Sequence, residues 1–154
     1  MRFAMSAALL GLGLFMLGDL PAQSSGRCGS RSAVVLGSVR ARGPHNAGWG
    51  TCAPRFFTNG GDATGQVVQI RWTSWGQGIA RGRGLTARNG PNGGVLPSIF
   101  PIYLRAFDLG RCGTAGPRAY RRLQYRDSDR LGRPSGPWRD WAYWRKGGSI
   151  CRSY

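Results

Sequence analysis

The chain has 154 residues and carries 22 Lys plus Arg against six acids, a net charge of +16. One histidine, no glutamate and no C-x-x-C spacing speak against a zinc cluster and against a glutamate proton donor. A field of this sign draws polyanions and leaves the fold open.

Arg2 precedes the uncharged run from Phe3 to Gly18, and Asp19 then breaks into Pro21-Ala22-Gln23-Ser24. A positive start, an apolar middle and small residues before a cut define a secretory signal peptide over residues 1–24, cleaved after Ser24. A retained anchor is the competing reading. A spanning helix takes about 20 apolar residues, and this run is shorter and interrupted by Gly11, Gly13 and Gly18. What remains, about 130 residues, has the size of one domain folded outside the cytoplasm. Its net charge stays at +16, because the leader takes away one Arg and one Asp.

Cys28, Cys52, Cys112 and Cys151 form an even set in a small exported chain and read as two disulfides. Four cysteines allow three pairings, and the sequence does not choose among them. The expected pairing is Cys28–Cys52 with Cys112–Cys151, each bracketing one end of the chain. A lipid on Cys28 is the other use of that thiol, and Arg27 before it argues against one.

Residues 25–65 read as a loop-rich segment with one strand, Ser32–Arg40, in which Ala33, Val35 and Val39 alternate roughly. His45–Pro54, with Gly48, Trp49, Gly50 and Cys52, suits turns, as does Gly60-Gly61-Asp62. Residues 66–136 read as the core β domain. Gln66–Trp75 sets Val68, Ile70 and Trp72 against Gln69, Arg71 and Thr73, the period of a half-buried strand. Trp75 falls an odd step away, at a sheet edge or part-exposed. Ile79–Ala87 continues as a strand, with Gly82 and Gly84 permitting close backbone approach or a bulge.

Asn89–Gly94 is a loop. Ile99–Phe107 then sets Phe100, Ile102, Leu104 and Ala106 against Pro101, Tyr103, Arg105 and Phe107, with Pro101 suiting an edge or a late start to pairing. Ala119–Arg126 turns Leu123 and Tyr125 inward. Residues 137–154 form a basic, Trp-rich arm on the same domain, where Trp138, Trp141 and Trp144 recur every third residue. The arm is either a short helix with an indole stripe or an irregular segment closed by Cys151. The fold class that follows is mainly β: a small antiparallel β-sandwich or open barrel, stabilised by disulfides, with an irregular or short-helical C-terminal arm.

Trp72-Thr73-Ser74-Trp75-Gly76, followed by Ala80-Arg81-Gly82-Arg83-Gly84, resembles the W-[ST]-S-W-G…A-x-G-x-G segment of small secreted β-rich proteins from high-GC Gram-positive bacteria. Pro101-Ile102-Tyr103-Leu104, Arg111-Cys112-Gly113 and Tyr120-Arg121-Arg122-Leu123 match the strand, cysteine turn and Y-x-R-L that follow there. Many relatives carry two cysteines in the hairpin turn where this chain has Asn89–Gly94. That departure makes Cys151 the candidate partner of Cys112. The resemblance implies a secreted β-rich domain and brings no catalytic residues.

The chemistry favours binding. From Arg111 to Tyr154 there are 11 basic residues against three acids, half the net charge of the chain. Arginines there interleave with aromatic rings that can stack on bases or sugars. Arg118, Arg121, Arg122, Arg126, Arg139, Trp141 and Arg145 are the candidate ligand-binding residues. An ordinary Arg-rich surface is the plainer reading. The partner expected from charge is an anionic polymer, whether wall polymer, nucleic acid or anionic lipid surface, with no cofactor and no span left after leader removal. The expected role is that of a secreted, non-enzymatic envelope or extracellular protein. The alternative is a small secreted hydrolase or toxin using His45 with an aspartate. Asp127-Ser128-Asp129, flanked by Arg126 and Arg130, reads as surface ion pairing.

Overall fold

The computed structural model describes residues 28–29, 33–37, 47–59, 63–142 and 146–151. Residues 1–27, with the expected signal peptide, and His45, Asp62, Trp144 and Arg145 lie outside them. Among the described residues, seven strands form one sheet: β1 (Val35–Leu36), β2 (Phe57–Thr58), β3 (Gln66–Trp72), β4 (Ala80–Asn89), β5 (Val95–Arg111), β6 (Arg118–Ser128) and β7 (Pro134–Asp140). Their order is β1-β6-β5-β4-β3-β2, with β7 also paired to β6. The sheet curls into an open half-barrel. Every pairing is antiparallel except β1 on β6, which is parallel at Val35↔Ala119 and Leu36↔Tyr120.

Alternation decides most of the inner face. Ile102, Leu104 and Ala106 from β5 are buried with Leu123 from β6 and Ala80 from β4. Pro101 pairs with Leu85, while pairing of β5 to β6 begins one residue later at Ile102. The proline therefore stands outside the β5–β6 ladder, where its carbonyl accepts from the Ser128 hydroxyl at 2.8 Å and its missing N–H costs the sheet little.

On β3 the expected phase is wrong over its first half. Gln69 has φ +53, and the register with β4 shifts between Val68 and Arg71. This bulge adds a residue and inverts the faces before it. Val67 and Ile70 are the core residues, at 0% and 2% exposure, while Val68 is only half-buried opposite Leu85. Trp72 keeps its inward position and packs against the core. Its ring lies on Gly82, where a Cβ would fall 2.7 Å from the indole; at Gly84 a Cβ would fall 2.6 Å from Val67. The two glycines are required by close approach.

Trp75 is also interior, at 4% exposure, rather than at a wet edge. It packs edge-on between Trp72 and Tyr120, with centroids at 4.8 and 5.0 Å. A second chain of rings runs Trp49–Phe57–Trp141–Tyr125, at 5.0, 4.9 and 5.6 Å. Indole N–H groups hold the loops to this core: Trp49 donates to the Thr58 carbonyl, Trp72 to that of Pro54 and Trp75 to that of Val34. Val34, Leu36, Trp49 and Phe57 are buried with the strands, so the loop-rich N-terminal segment shares the core of the sheet.

The first residues of the C-terminal arm are a strand, not a helix. β7 starts at Pro134 and pairs Gln124 with Asp140 and Tyr125 with Arg139. Trp138 and Trp141 consequently do not form one stripe. Beyond a turn at 141–142, Lys146–Gly148 makes a short 3-10 turn. Cys28 is bonded to Cys52 and Cys112 to Cys151, the expected pairing. No helix among the described residues is long and apolar enough to cross a membrane.

Candidate functional site

The face of the sheet opposite the core is a field of arginine and aromatic side chains. Its rows follow from strand register. One row runs Arg71–Arg83–Tyr103–Arg126 across β3, β4, β5 and β6. The next runs Arg81–Arg105–Gln124–Asp140 across β4, β5, β6 and β7. Phe107 faces Arg122 beyond them. Six guanidinium groups thus share a surface with one carboxylate, that of Asp140.

The two halves of the field differ. On β5 to β7 the arginines are stacked and bonded. The Arg105 guanidinium lies 4.6 Å from the Trp138 ring and 5.7 Å from Phe107, and Arg122 lies 4.9 Å from Phe107. Arg126 covers Trp138 at 5.9 Å and donates to the Gly136 carbonyl at 2.7 Å. Asp140 accepts from Arg122 at 3.0 Å and from Gln124 at 2.9 Å, and Arg105 donates to Gln124 at 2.7 Å. Each contact fixes a cation in place.

The field's arginines on β3 and β4, Arg71, Arg81 and Arg83, are exposed, and Arg83 lies 5.7 Å from the Tyr103 ring. Among the described residues, Arg71, Arg81 and Arg83 make no salt bridge. Arg71 stands directly opposite Arg83, and Arg81 directly opposite Arg105. Like charges in facing positions on neighbouring strands destabilise a sheet. An anion laid across the rows removes that repulsion.

The residues expected to bind are distributed over both faces. Arg122 and Arg126 belong to the field. Arg118 is exposed at the start of β6, opposite Arg111. Arg121 is engaged with Asp108 at 2.5 Å. Arg139 lies across Tyr125 and is bonded to Asp127. Trp141 is buried, at 8% exposure, against Phe57 and Tyr125. Tyr120, one of the interleaved rings, is fully buried. Arg145 lies outside the described residues.

The sequence reading missed Arg71, Arg81, Arg83 and Arg105. Their signal was present in the alternation, since each lies on the side of its strand opposite the core residues. Which of those sides combine is set by register alone.

Comparison of the chain with protein-family models, with curated proteins and with solved structures finds no match.

Proposed function

We propose that this is a secreted, non-enzymatic protein of the cell envelope or extracellular space that holds an anionic polymer across its arginine–aromatic sheet face. The observation that carries the reading is two pairs of facing arginines, Arg71 with Arg83 and Arg81 with Arg105, on a surface whose one acid among the described residues is already engaged by Arg122. Adjacent strands lie about 4.8 Å apart, so the rows present cations at short, regular intervals to a linear chain of charges. Trp138, Phe107 and Tyr103 supply flat apolar faces between them, suited to sugar rings or bases. Two disulfides and the signal-like first 24 residues agree with export. The hydrolase reading has no observation in its favour. His45 lies outside the described residues, and Asp108, Asp127, Asp129 and Asp140 all face arginine partners.

The test separates an organised face from net charge. Arg71→Gln/Arg81→Gln/Arg83→Gln and Arg111→Gln/Arg118→Gln/Arg130→Gln each remove three charges, on and off the field. The first triple variant should elute from a heparin column at markedly lower salt than the wild type, and the second close to it. On a duplex polyanion the slope of log K against log salt should fall by about 0.9 for each contacting arginine lost. Equal losses in the two variants would mean that charge alone is responsible, and the proposal would fail.

A further inference from the structure

The face that carries the arginines changes character towards one end of its strands. Beyond the row Arg71–Arg83–Tyr103–Arg126 comes Val68–Leu85–Pro101 across β3, β4 and β5, and beyond that Ala87 faces Ile99. The register from Arg83↔Tyr103 to Ala87↔Ile99 is unbroken, so alternation keeps these apolar residues on the arginine side. The β4–β5 hairpin then runs on to Asn89↔Val95. The ladder with β6 starts only at Ile102↔Asp127, and that with β3 reaches no further than Val68↔Leu85.

The turn between β6 and β7 folds over the same end. Tyr103 donates its hydroxyl to the Gly132 carbonyl at 2.6 Å, and a Cβ on Gly132 would lie 3.7 Å from the Pro101 ring. Asp129 accepts from the Leu131 and Arg133 amides at 2.9 and 2.8 Å, which fixes the backbone of the turn. Leu131 is nevertheless 76% exposed and Ile99 60% exposed, with Val95 exposed beside them on the hairpin. These are the three most exposed large apolar residues among the described ones, and all stand at this end of the sheet. Pro101 joins two of them, since Gly132 lies on its ring and Ile99 is its next neighbour on the same face of β5. Apolar area grouped in this way on a fixed backbone marks a contact surface.

Charge selects what covers it. From Gly84 to Pro101 the chain carries Arg88 and no acid. In the turn, Arg130 and Arg133 stand against Asp129, which Arg133 already holds. A second copy, also at +16, would bring like charge to like. An anionic bilayer meets both features at once, because its headgroups attract arginine and its acyl boundary takes in apolar side chains of uneven height.

We propose that this end of the sheet docks on an anionic lipid bilayer, with Leu131, Ile99 and Val95 at the headgroup–acyl boundary and Arg130 and Arg133 beside the lipid phosphates. The contact does not draw on Arg71, Arg81 or Arg105, so it stands or falls apart from retention of a polymer on the field.

Co-sedimentation of the full protein with vesicles tests the assignment, using phosphatidylglycerol and phosphatidylcholine in equal parts against phosphatidylcholine alone. The protein should bind the mixed vesicles, and the neutral ones at least about tenfold more weakly. Ile99→Ser and Leu131→Ser should each weaken binding to the mixed vesicles by about tenfold, the value of one aliphatic side chain removed from water. Ile99→Leu and Leu131→Met should keep it. Leu131→Trp puts an indole at the crest of the turn, and its emission should shift to the blue with the mixed vesicles, whatever the serine variants do to folding. The Ile99→Ser/Leu131→Ser protein should elute from heparin with the wild type. Vesicle binding that survives in both serine variants, or that is as tight to neutral vesicles, overturns the proposal. So does binding that falls only together with heparin retention. A wild-type dimer that the serine substitutions turn into monomer overturns it too, since a second copy would then cover the apolar end.

Discussion

The indole of Trp75 donates to the carbonyl oxygen of Val34 at 3.0 Å, across 41 positions of sequence. It ties the short parallel strand β1 to the turn after β3, and both partners are buried. Trp75→Phe keeps most of the ring and strands the carbonyl, which should cost about 1–3 kcal/mol. Urea unfolding reads that loss. Amide exchange at Leu36 and Gly37, bonded to Thr51 and Tyr120, should quicken more than exchange at β5. Uniform acceleration across the sheet would mean that the contact is not local.

Gly82 lies under the six-membered ring of Trp72, with room for hydrogen only. Gly82→Ala should destabilise by about 1–3 kcal/mol, the usual cost of forcing a methyl into a packed interior. Gly78 has open space around it and serves as the comparison, with Gly78→Ala close to neutral. Thermal melts of the two proteins separate a steric demand from a general glycine effect.

The bridges join cysteines 24 and 39 residues apart. Loop closure gives them about 3.5 and 4 kcal/mol. Replacing Cys112 and Cys151 together by serine should therefore lower stability by about 4 kcal/mol, and replacing Cys28 and Cys52 by slightly less. Denaturation of the two double variants ranks them. The opposite order would show that the unfolded chain is not the state being restrained.

Tyr120 is fully buried, accepts from the Gly76 amide at 2.9 Å and donates to the Gln77 carbonyl at 2.6 Å. Burial pushes its phenol above the ordinary value, against the opposing pull of the Gly76 hydrogen bond and the Arg118 charge. The native state thus prefers the neutral phenol. Its contribution is complete below the unfolded value of about 10 and is lost as pH rises through the higher folded value. Stability should hold between about pH 7 and 9 and drop above 10, with a shallower drop in Tyr120→Phe. Urea midpoints measured across that window decide it, and identical alkaline slopes would remove Tyr120 as the cause.

The middle strands were readable because they alternate. Ile102, Leu104, Ala106 and Leu123 fall where period two puts them, and Gly82 and Gly84 make the close approaches expected of them, to Trp72 and to Val67. The bulge at Gln69 was not readable, since a positive φ there is carried by a residue with no special liking for it. One added residue was enough to exchange Val67 for Val68 in the interior. β7 was hidden differently. Pro134, Gly136 and Pro137 argue against a strand, and only an edge position tolerates them. The indole spacing of three suggested a helix where the chain is extended through Asp140 and then turns. The arginine field was half legible: the outward sides of β4 and β5 could be written down, but their alignment with Arg122 and Arg126 needed the register.

The prolines of β7 have one more effect. An open sheet leaves a margin on which a stranger's backbone could zip, and here two of the seven residues along that margin own no amide hydrogen to lend. At the far margin, β2 is two residues long, too little to template anything. Both margins therefore resist growth by the addition of a further strand.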